Sequence, residues 1–312
     1  MAKLMSKKTR EIVQTTTVLV LVVLIIAFYA IYPLFMVPDM VSRPDKNDFN
    51  DPEYTRQNDP TVFTESGLTP DTLTILTNDN IRLACLYFKP DSSIIDSIKG
   101  TVIILHPDDT DRTAIISYIQ PLLDSGLAVI VYDQRAYGLT GGKHHFAGDY
   151  EADDLIDLVV YLNIHTMLIS PVIAVGFDLG GDAVIGAGRE ENRISAVIAI
   201  DPFLSSSHWI TTQKEKRGLF SIPLSNMIYY WWFQKLTGYP FDRTFADDLQ
   251  SIDTKTTIFM SDMEIEEIVK LKEISQPEML KIFPKPLEMN ELQENILTNI
   301  YSNVNPPTTE SK

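Results

Sequence analysis

Residues 172–186 read VIAVGFDLGGDAVIG, a β-branched run that breaks at Gly176-Phe177-Asp178-Leu179-Gly180-Gly181 and continues in small residues of helical character. Glycines two places either side of a central residue suit a sharp strand-to-helix turn that holds the central residue at positive φ. That residue is Asp178, a type that tolerates positive φ better than most, and the helix N-terminus after it favours an ionised carboxylate. The familiar form of the pattern has serine there. A carboxylate attacks alkyl halides and epoxides, but its attack on an ester would give a reactive anhydride. Either chemistry needs a general base to release the covalent intermediate.

Imidazole is the usual base, and the chain has five histidines: His106, His144, His145, His165 and His208. None follows His208. His144 and His145 adjoin Gly142 and Lys143 in a polar loop, and either is a candidate base if it comes within about 3 Å of its partner. The plainer alternative is a solvated loop. His106 opens a second constellation with Asp108, Asp109 and Asp111. Clustered carboxylates beside a histidine suit a hard divalent cation, but the same acids suit capping of the helix that follows. Cys85 stands alone, so an intrachain disulfide and a cysteine metal site are excluded, and its strand setting marks it as a core residue. No motif calls for a cofactor.

Alternating strand-like and helix-like runs must position these groups. TLTILTNDNIRLACLYFKP reads as a hairpin turning at Asn78-Asp79-Asn80. GTVIILHP (100–107) and LAVIVYD (127–133) read as buried strands, and PVIAVG, RISAVIAID (193–201), TTIFMSD (256–262) and MLKIFP (279–284) as further strands. Helical spacing marks RTAIISYIQPLLDSG, DYEADDLIDLVVYLNIH (149–165) and a last helix from about Glu288 to Asn303. The order implies an α/β protein with a doubly wound, mostly parallel sheet. Residues 203–250 interrupt it with a helical insertion containing MIYYWWFQKLTGYPFD, an aromatic patch that suits a lid over a site and a helix packed on the core equally well.

The net charge of −16 disfavours nucleic acid and anionic partners for the body of the chain. Val18 to Val37 holds no charge, and Ile12 to Thr17 extends it without charge. About 20 apolar residues cross a bilayer, and Tyr29 and Tyr32 stand where interfacial aromatics belong. A cleaved signal peptide would have a shorter apolar region and a small-x-small site, so an uncleaved transmembrane anchor is expected. Lys3, Lys7, Lys8 and Arg10 precede it without an acid. The positive-inside rule then leaves the N-terminus cytoplasmic and the globular part outside. The expected organisation is a cytoplasmic N-terminus (1–11), an anchor (12–37), a Pro/Asp/Asn-rich linker (38–66), a globular domain (67–305) and a tail (306–312).

With these landmarks in order, residues 68 to 305 resemble the α/β-hydrolase superfamily. Within it they look most like bacterial members with an N-terminal membrane anchor, related to the serine aminopeptidase-like group. TVIILHPDD stands where the family has a strand ending in His-Gly, VIVYDQRAYGLTGG where it has Asp-x-Arg-Gly-x-Gly-x-Ser, and GFDLGG at the nucleophile elbow. The resemblance implies Gly176, Gly180 and Gly181 as elbow geometry, Asp178 as the elbow residue and Glu264 in the acid position, with Asp262 two residues before. It puts the triad histidine near Pro286 to Glu288, where none occurs. It implies oxyanion donors at the amides of Leu179 and of a residue near Asp108, with His106 in a structural role beside them. Pro107 replaces the family glycine, and the carboxylates of Asp108 and Asp109 oppose an oxyanion.

The leading expectation is a membrane-anchored protein of this fold that has lost triad catalysis and binds a small-molecule ligand or a partner protein. The alternatives are an active hydrolase with Asp178 as nucleophile and His144 or His145 as base, and a divalent-cation site at the acidic loop.

Overall fold

The computed structural model describes residues 7–42, 61–93, 95, 97–108, 110–218, 223–238, 244–261, 280–283 and 289–304. By internal contacts the chain forms two compact units, one of residues 1–41 with 210–241 and one of 42–209 with 242–312.

The larger unit is built on one eight-stranded sheet: β1 (Asp71–Leu76), β2 (Arg82–Phe88), β3 (Gly100–Leu105), β4 (Leu127–Tyr132), β5 (Val172–Phe177), β6 (Ile194–Ile200), β7 (Lys255–Ser261) and β8 (Leu280–Phe283). Their order is β1-β2-β4-β3-β5-β6-β7-β8. The first two strands pair antiparallel, with β2 antiparallel on β4, and the remainder is parallel. The mostly parallel sheet expected from the run order is therefore present. β3, β4 and β5 are buried along their whole length, which is why they read as unbroken apolar runs rather than as alternation.

Helices cover both faces, since each strand presents successive side chains to opposite sides. Ile103, Leu105, Ile130 and Val184 share one core with Leu155 and Leu158 of α5 (Asp149–Ile164). Val102, Ile104 and Val131 share the other with Ile119 of α4 (Ile116–Asp124) and Ile296 of α10 (Met289–Val304). Between β5 and β6 runs α6 (Leu179–Glu190). Cys85 is fully buried in β2, where burial pushes its thiol well above the ordinary range.

The loop after β4 is tied down by charge. Asp133 and Arg135 both brace it, each through other residues. Asp133 accepts from the amides of Arg112 (3.0 Å) and Leu139 (2.9 Å). Arg135 grips Asp154 through Nε (2.8 Å) and Nη2 (2.6 Å), pairs with Asp79 at 3.0 Å, and lies 4.7 Å over the Tyr150 ring. Its guanidinium suits a planar, two-pronged carboxylate contact that a single short side chain cannot match.

The smaller unit begins with α1 (Lys7–Ile31), breaks at Tyr32 and resumes as α2 (Pro33–Val41). The anchor expected over 12–37 is thus two helical pieces, and helix runs four residues into the expected linker. Pro33 lacks an amide proton and opens a helix without losing an internal bond. Ile12, Val13 and the side chains from Val18 to Ile26 are exposed and apolar, unlike a core helix. Thr15 and Thr17 return their hydroxyls to the carbonyls of Glu11 and Val13, so neither hydroxyl is left unpaired. This one helical segment is long and apolar enough to cross a membrane, as an anchor or a signal sequence would be. The insertion supplies α7 (Ser206–Lys216), α8 (Pro223–Thr237) and α9 (Phe245–Ser251). Of these, α8 packs on α1 and α2 within the smaller unit.

Asp154 and Arg135 are both almost fully buried. Asp154→Ala strands a buried cation and should cost about 3–5 kcal/mol, whereas Asp154→Leu with Arg135→Met should recover most of that loss. Denaturant unfolding of the full chain in detergent checks both.

Candidate functional site

At the end of β5 the chain reverses into α6 through Asp178, whose φ of 48° and ψ of −114° lie outside the ordinary regions for a side-chain-bearing residue. Its amide donates to Ile200 O at 2.9 Å, and its carbonyl accepts from Gly181 N at 2.9 Å. The turn is tight because strand and helix nearly touch. A Cβ on Gly176 would sit 2.0 Å from Gly180 O, and one on Gly180 would sit 2.7 Å from Leu105 Cβ. Gly181 lies against Pro202. Asp178 itself is half-buried, and Leu179, whose amide follows it, is fully buried. Ala136, Asp201 and Leu204 also hold positive φ. Backbone strain therefore gathers in the loops leaving the carboxyl ends of β4, β5 and β6, where ligands bind in such sheets.

The loop after β3 is where the oxyanion donor is expected. His106 there is fully buried and both its ring nitrogens are used. Nδ1 donates to Pro107 O (2.9 Å) and Nε2 accepts from Gln134 N (2.9 Å). This arrangement defines a neutral tautomer, and burial pushes the imidazole pKa down. The Gln134 side chain closes the brace by donating to His106 O at 2.7 Å. His106 therefore joins two loops.

Asp108 is 5% exposed. Tyr137 OH donates to its Oδ1 at 2.6 Å and Trp209 Nε1 to its Oδ2 at 3.1 Å. His145 is wedged beside these donors, its ring 5.1 Å from Tyr137 and edge-on to Trp209 at 5.4 Å. Its Nδ1 has no hydrogen-bond partner among the described residues. Tyr137, His145 and Trp209 are each no more than 3% exposed, so rings fill the space beside the carboxylate. His144 differs from its neighbour: its Nδ1 lies 3.4 Å from Ser42 Oγ. The backbone carrying both is held by Glu151, whose carboxylate accepts from the amides of Phe146 and Gly148.

Asp111 accepts from Thr113 N (2.8 Å) and Thr113 Oγ1 (2.6 Å), capping the short 3₁₀ turn Arg112–Ile115. Asp108 thus spends both carboxylate oxygens, and Asp111 its Oδ1, on protein donors. Among the described residues no three His, Cys, Asp or Glu side chains form a group able to hold a metal. Asp109, Glu264, Asp262 and the Pro286–Glu288 position lie outside the described residues.

Two features were not foreseen from the sequence. One is the Tyr137–Trp209 clamp on Asp108. Its signal was only that a carboxylate in an apolar loop needs donors, and Tyr137 and Trp209 are 29 and 101 residues away from it. The other is Asp182, fully buried in the first turn of α6, where it accepts from the amides of Leu204 (2.7 Å) and Phe203. Burial raises its carboxyl far above the usual range, and Asp149 and Asp178 nearby raise it further.

A family model for the alpha/beta hydrolase fold matches residues 111–237. An esterase of Pyrococcus furiosus aligns over 79% of this chain and 93% of its own, at 20% identity and a TM-score of 0.58. The α/β-hydrolase GrgF from Penicillium sp. sh18 aligns over 76% and 98%, at 16% identity and a TM-score of 0.55. The 2,6-dihydroxy-pseudo-oxynicotine hydrolase aligns over 78% and 72%, at 13% identity and a TM-score of 0.58. The uncharacterized protein YqkD of Bacillus subtilis (strain 168) is 37% identical over 67 residues, a match spanning 22% of each chain. The chain has the α/β-hydrolase fold. These matches reach the fold and not the serine aminopeptidase-like group within it.

Asp182 carries a pH signature. A carboxyl raised in the folded state binds its proton at pH values where the unfolded chain has lost it. Its stabilising contribution is therefore complete below the ordinary carboxylate range and is lost as pH rises toward the raised value. Asp182→Asn keeps an acceptor for Leu204 and should flatten this decline. Asp182→Ala strands two amides and should cost about 1–3 kcal/mol even at acid pH. Thermal unfolding across a pH series measures both.

Proposed function

We propose that this protein is a membrane-anchored member of the superfamily that has lost triad catalysis and acts by binding, either a small ligand at the carboxyl edge of the sheet or a partner protein. One observation carries the reading. The elbow is kept to within atomic contact at Gly176 and Gly180, yet it presents Asp178, and the neighbouring oxyanion loop presents a carboxylate clamped by Tyr137 and Trp209. An oxyanion hole works by aiming donors at developing negative charge. Here the two side-chain donors are engaged by Asp108, whose own charge opposes an oxyanion. The absence of any histidine after His208 removes the family's usual base as well.

The rival reading keeps one observation in its favour: His145 has an unpartnered ring nitrogen among the described residues. A base at His145 would let Asp178 turn over an alkyl halide or an epoxide. Against it, the imidazole is enclosed by Tyr137 and Trp209.

The anchor reading rests on the exposed apolar length of α1, and the orientation on the cations before Glu11. The N-terminus is then cytoplasmic and the globular part extracytoplasmic.

Purified full-length chain in detergent, given panels of esters, amides, epoxides and haloalkanes, should show no turnover, and Asp178→Ser should install none. Multiple turnovers abolished by Asp178→Asn would overturn the binding reading, and their loss in His145→Gln would identify the base. For the orientation, alkaline phosphatase fused after Lys312 should be active and a fluorescent protein fused there dark. The reverse pattern would invert the topology.

A further inference from the structure

The smaller unit contains a helix with two apolar faces. On α8, Tyr229, Phe233 and Thr237 recur every four residues and are buried, Tyr229 and Phe233 to 1% exposure. Two residues on, Met227 and Trp231 repeat the spacing on the opposite face and are 61% and 56% exposed. The next position in that row is Lys235, also exposed. A helix seated on a core by one face normally turns polar side chains outward. This one turns outward a methionine and a tryptophan, and Trp231 stacks on Trp232 at 5.4 Å.

Two further observations say what covers that face. The first is continuity: α8 packs on α1 and α2, which carry exposed Phe28, Ile31, Leu34 and Phe35. The helix that exposes Met227 and Trp231 thus lies directly beside the exposed apolar residues of the membrane-spanning candidate within one unit. The second is charge. Residues 210–238 hold Lys214, Lys216, Arg217 and Lys235 against a single acid, Glu215, in a chain of net charge −16. Lys214 is committed internally, to Asn226 and over the Tyr229 ring. Lys216, Arg217 and Lys235 are exposed, Arg217 also meeting Gln213 and, at 3.6 Å, Asp39. Tryptophan and methionine flanked by cations form the composition of a helix lying in the headgroup region of an anionic leaflet.

We propose that α8 is a second membrane contact: its Met227–Trp231 face lies in the boundary between headgroups and acyl chains, beside α1 and α2, with Lys216, Arg217 and Lys235 toward anionic headgroups. The occupant is the lipid surface itself. This rests on the reading of α1 as an uncleaved anchor. A helix of the insertion then reports on the bilayer, and the aromatic patch, for which a lid and a core helix were the two expectations, is a membrane-facing element.

The test uses the full chain in vesicles of equal parts phosphatidylglycerol and brominated phosphatidylcholine. Tryptophan emission, from three residues, should be quenched relative to unbrominated vesicles, and Trp231→Phe should remove most of that quenching. Met227→Trp in the Trp231→Phe background should restore it, since position 227 shares the face. Replacing phosphatidylglycerol by phosphatidylcholine should weaken the quenching, and Lys216→Gln with Lys235→Gln should weaken it in the anionic vesicles. Unquenched emission from protein that stays with the vesicles through an alkaline carbonate wash overturns the α8 contact and leaves the anchor standing. Release by carbonate overturns both. Quenching undiminished by Trp231→Phe also overturns the contact, as does a concentration-dependent emission shift without quenching, which would indicate a second copy on this face.

Discussion

The elbow depends on a backbone approach that leaves no room for a side chain. Gly176 faces the carbonyl of Gly180 so closely that a Cβ would overlap it, and Gly180 presses on the exit of β3 at Leu105 and His106. Strand β5, the start of α6 and the loop after β3 are therefore one rigid junction. Asp178 holds its unusual backbone because the Ile200 carbonyl and the first turn of α6 bind it from both sides. Strain of this kind persists only where the surroundings over-determine it. The turn keeps the geometry of a nucleophile elbow, with Asp178 mounted on it.

Around that junction the polar chemistry is organised inward. His106 uses both nitrogens to tie the loops after β3 and β4 together. Asp108 is held by a phenol and an indole, Asp182 by two amides, and Glu151 by two amides. Asp108, Asp182 and Glu151 thus each meet donors supplied by other residues of the loops around the elbow, and the loops are fixed by meeting them.

The smaller unit obeys a different constraint. Its α1 hides two threonine hydroxyls on its own carbonyls and exposes apolar side chains from Val18 to Ile26. The partner helix α8 buries one aromatic row against α1 and α2 and exposes another. Both helices show the same solution to a low-polarity surround: backbone satisfied internally, apolar side chains outward.

Local pattern alone carried much of the fold. Six strand runs were expected, two of them as buried strands, and β3 to β8 occupy those places; β3 and β4 are buried at every position because a strand covered on both faces must be apolar throughout. The hairpin at Asn78–Asn80, the helix over 149–165, the elbow glycines and the apolar N-terminal helix were legible for similar reasons: turn chemistry, helical period, close approach and span length are written in consecutive residues. The meeting of Asp108 with Tyr137 and Trp209 was not legible, nor was the grip of Arg135 on Asp154 and Asp79. These contacts join loops that become neighbours only through the strand order β4-β3-β5-β6, and a one-dimensional pattern contains no term for that adjacency. The aromatic patch on α8 shows the same division. Composition established that it is apolar on several sides, but only tertiary packing decided which row faces protein and which faces out, because both rows share one helical period.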